Sequence, residues 1–276
     1  VASTARFLWQ RLEAYHGLIY FVPEADAAYT ALGLEPGRMG YFGSRASAMG
    51  PVPAHVVVAT FFNFNPALVH AVVPEVWSRT SAAALWDARL RAVDGALTRL
   101  FGDRLQADDI ARAAELLRGA VGECRPDGRP LFAGHLAQQW PDAPHLALWF
   151  GITLLREHRG DGHIAALVNS GISGLEALVL HGATGSVPSA VLQTTRGWDD
   201  ASWTVAQAGL CERGWLDESG AFTAAGREHR DEVERVTDER AAAPWAVLSA
   251  DEVEFLGALG KELSGTIAAS GTFPRR

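Results

Sequence analysis

The chain has 276 residues and a formal charge of −8, from 32 acidic side chains against 24 basic ones. That length suits one large domain or two of ordinary size, and the acidic balance excludes a global attraction to phosphate backbones or anionic lipid. Two distant cysteines argue against a disulfide framework or CxxC metal spacing. The first residues lack the plan of a signal peptide, and no apolar run approaches the ~20 residues of a membrane span. The expectation is a protein of the reducing cytoplasm with no membrane partner.

A first helix is predicted over 6–15, with Phe7, Leu8, Leu12 and Tyr15 on one side. A second opens at Pro23, carries Glu24 and Asp26 at its positive end and stops at Gly33. Residues 39–50, MGYFGSRASAMG, have two readings. Either Gly40, Gly43, Ala46 and Ser47 let a helix pack tightly, or Tyr41 and Arg45 line a pocket in which the arginine grips a carboxylate or phosphate. Residues 56–64 fit a strand or a buried helix, and Asn63 and Asn65 either cap the next turn or face a ligand. An amphipathic helix follows over 81–101 with Leu85, Leu90, Val93, Leu97 and Leu100 inward, and another over 108–117. The glycine- and proline-rich stretch 119–130 is the candidate linker, dividing the chain into domains 1–120 and 131–276.

The second half holds the densest cluster of reactive side chains, LLREHRGDGH at 154–163. A helix from about Pro144 is expected to end over Arg156–Gly160, with Asp161 or Gly162 capping the next one from His163. Ser173 caps a helix over 174–182, a short one covers 187–195, and the Asp199–Asp200 pair opens the helix that precedes Gly214. WLDESGAFT has the shape of a tight hairpin turning at Glu218-Ser219-Gly220, and Thr223 caps a long helix. Three short helices, a two-stranded wing and a closing helix outline a winged helix-turn-helix.

With MGYFGSRASAMG, VVVATFFNFNP, LLREHRGDGHIAAL, GLEALVLHGATG and RGWDDASW with its wing and TAAGR helix, the chain resembles an actinobacterial helix-turn-helix family over nearly its whole length. The resemblance implies a winged-helix architecture in two related halves and brings no established activity. In the family pattern a histidine often stands where this chain has Asn65, and another where it has Phe150; a metal or haem site built on those histidines would lack both here. The expected fold class is mainly α with small β wings, in two winged helix-turn-helix-like domains.

A winged helix usually reads the major groove with its third helix. Here that helix spans 199–213, and Asp199, Asp200, Glu212 and Arg213 sum to −2. The wing adds Asp217 and Glu218 and no cation. DNA affinity comes largely from basic residues that neutralise phosphates, so the sequence weighs against DNA as a partner. Arginines on another face, such as Arg104, Arg112 and Arg118, would restore it.

HExxH, GxSxG, Rossmann glycines and EF-hand spacing are absent. His158 and His163, even with His181 or His145 as a third ligand, do not define a metal site by spacing, so no metal is assigned and the cofactor stays unknown. In one reading, Arg156 and Arg159 simply pair with Asp161, Glu157 or Glu176. In the other, Arg156 and Arg159 hold an anionic small molecule at a helix N-terminus, His163 serves as a base oriented by Asp161, and His158 and His181 stand nearby. Tyr20, Tyr41, Arg45 and Asn63 then complete a pocket between the halves. The expectation is a small-molecule-binding protein on a tandem winged-helix scaffold, an enzyme of secondary metabolism if His163 and Asp161 are catalytic. The alternative is a ligand-responsive DNA-binding transcription factor. A third reading is a scaffold that forms a homodimer through its long helices.

Overall fold

The computed structural model describes residues 2–273. Fourteen α-helices and four short 3-10 turns account for most of them. The one β pairing among the described residues is a single antiparallel bridge, Leu216 to Phe222. The wing is therefore little more than a turn: the Asp217 carboxylate accepts from the amides of Ser219 and Ala221, and the pairing ends with the bonds from the Asp217 amide to the Ala221 carbonyl and from the Thr223 amide to the Trp215 carbonyl. Nothing among the described residues before 120 is a strand, so the wing expected in the first half is not there. The chain is mainly α.

The segment left open between strand and helix is helix α4, Ala54–Phe61, which packs on α5, Pro66–Arg79, and meets α3, Arg38–Ala46, through the stacked rings of Phe61 and Phe42. Val57 and Phe61 fall four residues apart on its buried face, and the Thr60 hydroxyl returns to the Val56 carbonyl. The tight-packing reading of 39–50 fits one face of α3. A Cβ at Gly40 or Gly43 would sit 2.5 Å from the Tyr29 ring or 2.7 Å from Val76, so that face packs tightly, while Tyr41 and Arg45 face the polar cluster described below.

The other helices are arranged around α9, Pro144–Asn169. It packs on α1, Ala2–Gly17, α7, Asp108–Gly122, α8, Pro130–Leu136, and α13, Ala224–Arg240. The break expected at Gly160–Gly162 does not occur. Each glycine costs a helix about 1 kcal/mol relative to alanine, but long-range contacts hold this turn. Arg159 reaches Asp238 of α13 at 2.9 Å, and Arg129 Nε donates to the His158 carbonyl at 3.1 Å.

The main core draws on both ends of the chain and on both sides of the 119–130 stretch. Helix α14, Ala250–Ala269, lies against α1, with Phe7 and Leu12 filling the space that Gly257 and Gly260 leave open. A separate core over 166–233 holds α10, Gly174–Ala183, α11, Ser189–Arg196, and α12, Asp200–Glu212, against the end of α9 and α13. Local caps start these helices as the sequence dictates: Ser173 with Glu176 at α10, Asp199 at α12 and Thr223 at α13. No single helix among the described residues is long and apolar enough to cross a membrane.

Candidate functional site

Two features carry chemistry, and they meet at one seam. The first is the three-helix unit α10–α12. The outward face of α12 presents Ala201, Thr204, Val205 and Ala208, with Val205 73% exposed. It carries no cation. Arg213, just after the helix, bonds to Glu176 and to the Gly171 carbonyl and lies over the Trp215 ring. The turn between α11 and α12 is fastened to the loop between α4 and α5. The Asn65 amide donates to the Arg196 carbonyl at 2.9 Å, Asn65 Nδ2 donates to the Gly197 carbonyl at 2.9 Å, and Trp198 Nε1 donates to the Asn63 carbonyl at 2.9 Å. Asn65 also caps α5 through the Ala67 amide.

That loop is strained. Phe62 has φ 55° and ψ −52°, and the Asn63 amide bonds back to the Phe61 carbonyl at 2.6 Å. This is a γ-turn of the rare hand, costing about 1–3 kcal/mol. It brings the Phe62 carbonyl to within 2.0 Å of where a Cβ on Gly174 would stand, so the start of α10 rests directly on the loop.

The second feature lies beside it. Arg45, 8% exposed, forms a forked pair with Glu157, 1% exposed: Nε to Oε1 at 3.2 Å and Nη2 to Oε2 at 3.0 Å. Arg156 Nη1 shares the same carboxylate at 2.8 Å, and Arg156 Nε reaches Glu13 at 3.5 Å. Arg45 Nη1 donates to the Tyr41 hydroxyl at 3.3 Å, and its guanidinium lies over Phe61 at 4.4 Å. Tyr41 stacks obliquely on Tyr20, with ring centroids 5.2 Å apart. Arg89, fully buried, donates to the Tyr20 hydroxyl at 3.1 Å, while its Nε and Nη1 have no partner beyond the faces of Tyr20 and Trp149. His16, also fully buried, bonds to Thr153 and Tyr20. From α11, Arg196 lies over Phe64 at 4.8 Å, and its Nε is buried without a partner.

The electrostatics follow from this crowding. Burial pushes the Glu157 carboxyl up, but Arg156 and Arg45 outweigh it and hold the group well below the usual range. Burial likewise pushes the Tyr41 phenol up, and Arg45, Arg196 and Arg156 together bring it below its ordinary value. Burial lowers Arg196, with Arg45 and Arg156 adding repulsion. His16 is held well below its usual value by burial and then by Arg156. The cluster is thus rich in positive charge.

Of the residues singled out in the sequence, Tyr20, Tyr41, Arg45 and Arg156 meet here, and Asn63 borders the seam through its main chain. The others do not join them. Asp161 accepts from the Phe132 amide at 2.9 Å at the start of α8, and burial raises it to about 6. His163 Nδ1 bonds to Thr237 at 2.9 Å. Residues two apart on one continuous helix point to different sides, so Asp161 does not orient His163 and the expected catalytic pair is not assembled. His158 packs edge-on against Phe132 and is brought down to about 4 by burial. Arg159 is taken up by Asp238 and Glu234 and lies over Trp9. His181 is lowered by burial and then by Arg230 and Arg196. Among the described residues, no three His, Cys, Asp or Glu side chains are grouped to hold a metal.

Arg89, Arg196 and Glu157 complete the cluster without having been singled out as site residues. Arg89 had a legible signal: it stands four residues from both Leu85 and Val93, on the apolar face of α6, Ala82–Phe101. Arg196 had none, since Tyr41, Arg45 and Phe64 lie far away in sequence.

A family model described as a helix-turn-helix family matches residues 5–274. No curated protein and no solved structure matches the chain.

Proposed function

We propose that the chain, which belongs to this helix-turn-helix family, is a ligand-responsive DNA-binding protein. The unit α10–α12 meets the duplex, and a small anionic molecule binds among Tyr20, Tyr41, Arg45, Arg156 and Arg196. The observation that carries this reading is the seam: the turn between α11 and α12 is bonded to the 63–65 loop, and Arg196, next to that turn, lies over Phe64, whose ring packs on Tyr41 of the arginine cluster. A ligand there touches the helix-turn-helix unit and the body at once. Groove contacts would come from Ala201, Thr204, Val205 and Ala208, whose methyl groups suit apolar contact with thymine. With no cation on that face, few phosphates are neutralised and the salt dependence is shallow.

The test is selection from a random duplex library with the purified protein at low salt. Enrichment of a common sequence supports the reading; no enrichment overturns it.

A second reading draws on the same cluster and on the acidic start of α12 and its turn, Asp199, Asp200, Asp217 and Glu218. In it the helix-turn-helix unit is scaffold, and binding of the small anion is the function. Anion binding by a protein that selects no duplex is its signature.

A further inference from the structure

We propose that Arg45, Arg156 and Arg196 form the seat of a doubly charged oxyanion, of the kind carried by an aromatic phosphate monoester, and that the anion clamps α11 to the body. This rests on the ligand reading above and adds the ligand's charge and its mechanical consequence.

The argument begins with charge. Around Tyr41 and Tyr20 stand four guanidiniums, Arg45, Arg89, Arg156 and Arg196, against two carboxylates, Glu157 and Glu13. Glu157 serves both Arg45 and Arg156. Among the described residues, neither the half-buried Arg196, whose Nε is enclosed, nor the fully buried Arg89 has a carboxylate partner. A buried charge left without a counter-charge is costly. The excess is two positive charges, which a dianion balances and a monocarboxylate does not.

Geometry selects the donors. Arginine forks match phosphate oxygens two at a time. The Arg196 Nε donor is free, and the Tyr41 hydroxyl already faces Arg45 at 3.3 Å. Tyr20, Tyr41, Phe61 and Phe64 pack on one another with ring centroids 5.2–6.4 Å apart, forming an aromatic wall beside the arginines against which a flat aromatic group can lie.

The consequence follows from where Arg196 sits. It is the last residue of α11, and its carbonyl is already held by Asn65. Without an anion, Arg45 and Arg156 repel it; with one, the three are drawn together and the seam tightens.

The experiment is thermal unfolding with inorganic phosphate, phenyl phosphate or benzoate at fixed ionic strength, joined to hydrogen–deuterium exchange. Phenyl phosphate is expected to raise Tm by about 5 °C near saturation, benzoate much less, and exchange is expected to slow over 63–68 and 189–199. Arg196→Met keeps the packing on Phe64 and should lose most of the rise and the protection. Failure of all three probes to move Tm, or an equal response in Arg196→Met, overturns the proposal. The assay contains no DNA. A positive result here with no duplex selected sinks only the DNA reading, and the reverse sinks only the anion.

Discussion

The Asn65 amide donates to the Arg196 carbonyl across 131 positions of sequence, and the Asn65 side chain holds the neighbouring Gly197 carbonyl. One residue thereby caps α5 and fastens the turn between α11 and α12. Asn65→Ala removes the cap and one seam bond together. It is expected to cost about 1–2 kcal/mol and to speed amide exchange over 196–199 more than over α9. Urea unfolding and exchange mapping check both. Uniform exchange, with no preference for the seam, counts against this role for Asn65.

Glu157 is the carboxylate on which Arg45 and Arg156 converge. Removing one partner of a buried pair leaves the other charge uncompensated, so Glu157→Gln should destabilise the fold by about 3–5 kcal/mol. Arg45→Met combined with Glu157→Gln should cost less than the two single losses added together. Additive losses, measured by denaturant titration, would show that the pair is not coupled.

Arg89 should behave in the opposite way. Its guanidinium is fully buried, with a tyrosine hydroxyl and ring faces for company and no carboxylate. Arg89→Met is expected to leave the ligand-free protein at least as stable as wild type, because it removes a desolvated charge while keeping the volume. A fall of more than about 1 kcal/mol in the unfolding free energy would mean that the ring faces and Tyr20 already balance the charge.

Stability should fall on mild acidification. His135 and His158 are brought down to about 4 by burial, and His16 also lies well below its usual value. Below pH 6.5 the unfolded chain takes up protons that these folded sites refuse. Their contribution is therefore full above 6.5 and is lost as the pH drops toward 4. Asp161, raised to about 6, works the other way: its contribution is present in acid and is lost as the pH rises through 6. Three histidines outweigh one aspartate, so Tm should drop between pH 7.5 and pH 5, and His135→Leu should flatten that drop. A Tm that rises over this range would contradict the assignment.

Val205 tests the outward face of α12. At 73% exposed it contributes little to the fold, so Val205→Glu should change stability by no more than about 0.5 kcal/mol. If that face meets DNA, the same change should abolish selection of a duplex. Retained selection would move the contact elsewhere on the protein.

What the sequence disclosed and what it hid divide by range. The caps at Ser173, Asp199 and Thr223 were legible because each acts within three residues of itself. Tyr41 and Arg45 were legible because their surroundings of small residues set them apart. The continuity of α9 was hidden, because Arg159 finds Asp238 and Arg129 finds the His158 carbonyl from distant parts of the chain, and local composition at Gly160–Gly162 argued for a break. The same continuity separates Asp161 from His163. The wing was overread: the turn chemistry at Asp217 is real, but only one bridge follows it.

The most direct test is the affinity of the selected duplex for the protein, measured by fluorescence anisotropy with and without saturating phenyl phosphate. A clamp at Arg196 that repositions α11 and α12 predicts a change of about fivefold or more, the lower end of ordinary coupling energies. An affinity that does not move with the anion, or a protein that selects no duplex, contradicts a ligand-responsive DNA-binding function.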